Sequence, residues 1–124
     1  MATHNQTGTW GENVATEYLV AKGYDIVERN WRLNRLEVDI IAKHRQRVIF
    51  VEVKTRTSDD YADPQILISK TKLSNMCRCA NAYMQMFDCN FTVQFDIIII
   101  TGHADNYRLE HFPDAYYPPM KTYR

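Results

Sequence analysis

No apolar run in this 124-residue sequence approaches the length needed to cross a membrane. The first residues, Met1-Ala2-Thr3-His4-Asn5-Gln6, lack the basic segment and apolar core of a signal peptide. The expected location is the cytoplasm, with no membrane partner. Cysteine is scarce: Cys77, Cys79 and Cys89 are odd in number and lack C-x-x-C spacing, which argues against a disulfide framework or a zinc site of that kind. Cys77 reads as a small core residue of a helix. The histidines (His4, His44, His103 and His111) are scattered without ligand spacing and receive no role. An excess of one charge is also missing. Fifteen basic residues balance fifteen acidic ones, which disfavours tight nonspecific duplex binding unless cations cluster locally. Candidate clusters are Lys54 with Arg56, and the hairpin trio Lys43, Arg45 and Arg47, the latter read as solvated loop charges. There is no repeat, low-complexity tract or interdomain linker. Residues 1–124 are expected to form a single domain, with a core over about 8–112 and an irregular tail over 113–124.

What the sequence does contain is 45% hydrophobic and 24% charged residues, the balance of an ordinary globular protein. A chain of this length buries roughly two-thirds of its unfolded surface, so it needs no disulfide or structural metal. Its most informative stretch is Glu37-Val38-Asp39, followed across a short loop by Val51-Glu52-Val53-Lys54-Thr55-Arg56. Side chains two apart on a strand share a face, so Glu37 projects with Asp39, and Glu52 with Lys54. A hairpin turning about Arg45-Gln46 sets Asp39 opposite Glu52 and Glu37 opposite Lys54. Val38, Ile40 and Ala42 then face Val53, Val51 and Ile49 on the other, wholly apolar side. Cross-strand neighbours have Cβ atoms about 4.5–5.5 Å apart, close enough for two carboxylates to hold one divalent cation. That pattern describes a metal-dependent phosphodiesterase site. From spacing alone it also describes the solvated face of an antiparallel sheet, with Glu37 and Lys54 as a salt pair.

Around this hairpin the elements read as follows. Thr9-Trp10-Gly11-Glu12 fits a capping box opening a helix to about Lys22, with Val14, Ala15, Tyr18, Leu19 and Ala21 on its buried side. Glu12, Ala15, Thr16 and Leu19 share one helix face. Gly23 follows as the C′ residue, with Tyr24 making the accompanying contact. Residues 24–32 form a first strand, completing a three-stranded antiparallel meander. Residues 58–65 are a polar loop. From about Ser69 a second helix carries the stripe Leu73, Met76, Cys77, Ala80, Met84 and Phe87. Phe91–Thr101 is a strand whose Ile97-Ile98-Ile99-Ile100 run implies burial on both faces. Tyr107–Phe112 is an edge strand. Asp96, beside the isoleucine run, needs a buried partner, expected to be an arginine. The order α-β-β-β-α-β places the chain in the α/β class with a mixed sheet flanked by helices.

This order, with Asp on the second strand and Glu-x-Lys on the third, resembles the PD-(D/E)xK nuclease superfamily. Within it the chain resembles the YraN-like family of bacterial proteins, related to archaeal Holliday-junction resolvases. The resemblance spans roughly residues 8–101. It rests on Gly11-Glu12, Tyr24 with Arg29-Asn30, residues 37–42, Phe50-Val51-Glu52-Val53-Lys54-Thr55-Arg56, Lys72 and Phe95-Asp96. It implies a restriction-endonuclease-like core, Asp39 and Glu52 as metal ligands, and Lys54 as the catalytic lysine. It also implies a catalytic acid at Glu12 and a basic, nucleic-acid-facing residue at Lys72. Two positions depart from the family pattern: Leu36 stands where glycine is usual, and Gln94 where arginine is common.

The chemistry follows from the residue types. Mg²⁺ prefers an octahedron of oxygens and is usually held by one or two carboxylates, waters and substrate phosphate. Asp39 and Glu52 supply the carboxylates, the Val53 carbonyl offers a further ligand, and Mn²⁺ suits the same donors. Lys54 is suited to position water and to stabilise transition-state charge, while Arg56 and Lys72 can hold the phosphate backbone. Glu12 has a second reading as the capping-box acid. The expected function is a Mg²⁺- or Mn²⁺-dependent nuclease acting on DNA. The alternatives are a weakly active or inactive nucleic-acid-binding module of the same fold, and a subunit docking through Tyr116, Tyr117, Pro118 and Pro119. A homodimer is compatible with each.

Overall fold

A computed structural model describes residues 4–57, 70–87 and 90–115. The elements are α1 (His4–Ala21), β1 (Asp25–Leu33), β2 (Leu36–His44), β3 (Arg47–Arg56), α2 (Lys70–Phe87), β4 (Thr92–His103) and β5 (Asn106–Phe112). The strands form one sheet in the order β1-β2-β3-β4-β5. β3 and β4 are parallel and the other neighbours antiparallel. The α/β class, the opening meander, the mixed sheet and the edge position of β5 are therefore as expected.

The isoleucine run explains the layering. Ile98 and Ile100 pack into one apolar cluster with Ala15 and Leu19 of α1, while Ile97 and Ile99 pack into a second with Met76, Cys79, Ala80 and Tyr83 of α2. Period-two alternation on β4 thus feeds both faces, and the sheet lies between the two helices. The α2 stripe is rotated from expectation. Cys79 and Tyr83 are buried, Cys77 is half-buried and Phe87 is exposed. Met76, Cys79, Ala80 and Tyr83 follow the i, i+3, i+4, i+7 rule; tyrosine's hydroxyl hides it from an apolar-only pattern.

α1 also differs at its start. It begins at His4, so Thr9 lies inside the helix and no capping box forms at Thr9–Glu12. Its end is as expected, although Ala21 is exposed. Tyr24 N–H donates to the Leu19 carbonyl (2.9 Å) and Gly23 N–H to that of Val20 (3.0 Å), with Gly23 at φ +96°. These are the two bonds of a Schellman motif, and they satisfy orphan carbonyls. The β2–β3 turn centres on Arg45 and Gln46, one of the registers that parity allows, with φ of 53° and 67°. Positive φ at both central residues is the type I′ signature, here achieved without Asn-Gly. Residues 113–115, after β5, form neither helix nor strand. Ala115 N–H donates to the Phe95 carbonyl (2.8 Å), tying residues 113–115 to β4. The segments 58–65 and 116–119 discussed above lie outside the described residues.

One close approach sets the position of α1. Gly11 is buried against β3, and a Cβ built on it would collide with Cγ2 of Thr55. Gly11→Ala gains about 1 kcal/mol of helix propensity, yet overpacking of this kind costs roughly 1–3 kcal/mol. Urea denaturation is expected to show the variant less stable than wild type. Adding Thr55→Ser, which removes that methyl, is expected to restore most of the loss. A Gly11→Ala protein more stable than wild type would show that α1 is free to move off the sheet.

Candidate functional site

β2 and β3 stay paired from His44↔Arg47 to Ile40↔Val51, the expected register. One step further they part. Val53 N–H, which an unbroken ladder would give to a β2 carbonyl, donates instead to Asp39 Oδ2 at 2.8 Å. The cause lies partly in β1. Asn30 has φ +53°, and the β1–β2 pairing passes from Arg29↔Ile40 to Trp31↔Val38 without an Asn30–Asp39 pair. Across this step the alternation inverts: Ile40 packs with the α1-side cluster and Val38 with the α2-side cluster. The expectation that Val38 and Ile40 share one apolar face fails at Asp39 for this reason. The N–H and C=O of a strand residue point to the same neighbour, so the Val53 carbonyl faces the same opening as its N–H.

Three acids from different layers act on one another electrostatically there. Glu52, only 5% exposed, shares the parity of Phe50 and lies 3.3 Å (Oε1) from Lys72 Nζ of α2. Asp39 sits at the inversion. Glu12 comes from α1, where Arg29 NH2 lies 3.8 Å from its carboxylate and the Asn30 side chain favours its charged form. Arg29 is anchored in turn by a 2.8 Å bond to Asn13 Oδ1. Burial pushes the Asp39 carboxyl up to about 7; Glu52 and Glu12 add to the rise, while the Val53 amide and Lys72 oppose it. Burial also raises Glu52, against the pull of Lys72 and Lys54. Burial raises Glu12 too, offset by Asn30 and Arg29. The helix face inferred for Glu12 therefore points inward, and its capping role is replaced by contacts to β1.

The remaining expected residues divide. Lys54 lies close enough to Glu52 to favour its charged form. Glu37 pairs with Arg32 (3.8 Å) rather than with Lys54. Lys72 is engaged with Glu52, and Arg56 with Thr101 Oγ1 (3.1 Å) and Glu110 (3.9 Å). Leu36 opens β2 opposite Leu33 and packs against the α2-side cluster. Asp96 is fully buried, but its partners are His111 and Gln94 rather than an arginine. The roles of Arg29 and Asn30 were not read from the sequence. A signal was present, since asparagine is one of the few residues that tolerates positive φ.

Among the described residues, no three His, Cys, Asp or Glu side chains form a group able to hold a metal ion. The donors do fit a weakly chelated, oxygen-preferring cation. Two buried carboxylates, one raised by the other, are an under-neutralised pair, and Mg²⁺ needs no more protein ligands than one or two carboxylates. Among the described residues no helix is long and apolar enough to cross a membrane.

The chain is thus a small three-layer α/β protein with an acidic site where two strands part. It belongs to the uncharacterised protein family UPF0102, whose model matches residues 11–100. A UPF0102 protein of Bacteroides thetaiotaomicron is 42% identical over 120 residues, covering 97% of this chain and 99% of the relative. Another from Phocaeicola vulgatus is 38% identical over the same shares. One from Flavobacterium psychrophilum is 38% identical over 94% of this chain and 98% of its own length.

The raised carboxyl of Asp39 makes stability depend on pH. Between its ordinary value of 3.8 and about 7, the unfolded chain releases this proton while the folded chain keeps it. Stability of the metal-free protein therefore falls as pH rises through that window and levels off above it. Asn at position 39 can still accept the Val53 N–H but carries no charge. With each pKa unit worth about 1.4 kcal/mol, Asp39→Asn is expected to melt several degrees higher than wild type at pH 8 in EDTA, with a flatter pH profile. Equal or lower stability at pH 8 would contradict the burial of a charged Asp39.

Proposed function

We propose that this protein is a divalent-metal-dependent phosphodiesterase of the PD-(D/E)xK type acting on nucleic acid, with DNA as the expected substrate. The observation that carries the reading is the parting of β2 and β3. It leaves Asp39, Glu52 and the Val53 carbonyl around one opening, with Lys54 beside Glu52. Mg²⁺ or Mn²⁺, when bound there, supplies Lewis-acid activation of phosphate and water.

The residues of the chain supply the rest. The Val53 amide fixes the rotamer of Asp39, so the carboxylate is held in place before a ligand arrives. Lys72 lies 3.3 Å from Glu52, which offsets part of the cost of burying that carboxylate. Asn30 and Arg29 orient Glu12 toward Asp39. The raised carboxyl of Glu12 suits it to take or return a proton at a reacting water. Lys54 contributes charge stabilisation at the transition state. Nucleic acid enters this scheme as substrate through the phosphodiester that such a site would take.

One observation favours a second reading. Lys72 already engages Glu52, and the net charge is zero, as in a module that binds nucleic acid with little or no turnover. Cleavage of single-stranded, duplex, flap and four-way DNA with Mg²⁺ or Mn²⁺ separates the two. Wild type is expected to cut at least one substrate and Glu52→Gln none. Lys54→Ala is expected to lower single-turnover cleavage by about 10²–10³ with Mn²⁺ affinity nearly unchanged, because a transition-state contact affects kcat and kcat/KM together. Equal cutting by wild type, Glu52→Gln and Lys54→Ala would remove these residues from catalysis, and binding without any cutting would favour the second reading.

A further inference from the structure

Arg47 begins β3, five residues or about 17 Å along the strand from Glu52. Beside it lies a cavity of about 280 Å³ lined by Tyr24, His44, Arg45, Arg47, Gln94 and neighbouring apolar atoms. The cavity lies toward the β2–β3 turn, away from the acidic opening, and among the described residues no acid lines it. We propose that it is a binding site for a phosphate group carried by a nucleotide, either free or at the end of a nucleic-acid strand.

Three features make it a built site rather than a chance basic surface. First, Arg47 is fixed from behind. Its NH1 donates to Gln94 Oε1 at 2.6 Å, and Gln94 Nε2 donates to Asp96 Oδ1 at 2.8 Å. Gln94 is 6% exposed and Asp96 wholly buried, so the guanidinium is held by a rigid chain of bonds while its charge stays uncancelled at the cavity. Asp96 does not compete for it. Asp96 Oδ1 also accepts from Asp114 N–H (3.0 Å), and Oδ2 lies 2.7 Å from His111 Nε2. His111 is held in turn by the Tyr18 hydroxyl (3.1 Å). Second, His44 lines the cavity beside Arg45 and Arg47, and its Nδ1, enclosed within the fold, has no hydrogen-bond partner among the described residues. Third, His44 stacks on Tyr24 at 4.5 Å, and both rings line the cavity.

The ligand's class follows from these groups. A fixed guanidinium matches a phosphate's oxygens, since arginine presents its donors in a planar fork. Arg45 sits at the turn beside it and adds a second cation. The volume is at the lower end of small-molecule sites, which run from roughly 300 Å³ upward. That allows a phosphate with one attached sugar or base. Gln94 stands where the resemblance expects arginine, and Arg47 now brings a cation to the same place.

The site needs no divalent cation, so its test is independent of the phosphodiesterase reading. In EDTA, inorganic phosphate, a nucleoside 5′-monophosphate, and a short single-stranded oligonucleotide with or without a 5′-phosphate are titrated into the full chain and followed by amide NMR. The expected result is saturable shifts centred on residues 44–49 and 94, with affinity reduced at least tenfold in Arg47→Gln. Arg45→Asn removes a cation yet tolerates the left-handed turn conformation, so it tests the site even if Arg47→Gln fails to fold; it is expected to weaken binding at least threefold. Preference for the 5′-phosphorylated strand over its unphosphorylated twin identifies a strand end as the source. Binding of the free mononucleotide without that preference identifies a small-molecule source. The proposal is overturned by no binding of any of these probes, by shifts confined to Lys54, Arg56 and Lys72, or by affinities that Arg45→Asn leaves unchanged.

Discussion

A buried strand amide must find an acceptor, and the acceptor found by Val53 is a carboxylate rather than the next carbonyl of the ladder. That substitution ends the β2–β3 pairing and opens the sheet. It also draws Asp39 into a low-dielectric setting beside Glu52, where both carboxyls are raised. Burying two such charges costs several kcal/mol, and the single salt contact from Lys72 offsets only part of it. Gly11, by letting α1 approach β3, brings Glu12 to the same opening. Fold and site are therefore set by one local choice. An unbroken ladder would give a more regular sheet and no place for the acids to converge.

The molecule contains two buried polar systems of opposite character. Around Asp96 both carboxylate oxygens have partners, and bonds run on to Tyr18 and Arg47. A fully satisfied network of this kind stiffens its surroundings. Around Asp39 and Glu52 burial outweighs the pull of Lys72 and Lys54 and keeps both carboxyls raised. Unbalanced groups of this kind cluster at functional sites. By this contrast the proposed site rests on Asp39 rather than on Asp96, although Asp96 is the more deeply buried of the two.

Much of this was legible in the sequence, and the reasons can be stated residue by residue. Parity ruled out a one-residue slip of the β2–β3 hairpin, which would have buried acids against core, but left a two-residue shift open because the turn carries no Asn-Gly or Asp-Gly. The isoleucine run announced two-sided burial because a strand covered by two helices has no polar face. Gly23 and Tyr24 marked the end of α1 because only a left-handed residue can close that motif. What could not be read depended on contacts distant in sequence. Inversion at Asp39 needs Asn30, on another strand, and the partnership of Asp96 with His111 needs β5 folded back on β4. The rotation of α2 toward Cys79 and Tyr83 depends on Phe50 and Trp31, whose rings pack edge-on against Tyr83.

The most direct test of the acidic site is anomalous diffraction from crystals grown with Mn²⁺. The account predicts one strong peak within coordination distance of Asp39, Glu52 and the Val53 carbonyl, with Lys72 moved off Glu52 from its present 3.3 Å. Crystals saturated with Mn²⁺ that show no peak between these carboxylates, and that keep Lys72 paired to Glu52, would contradict it.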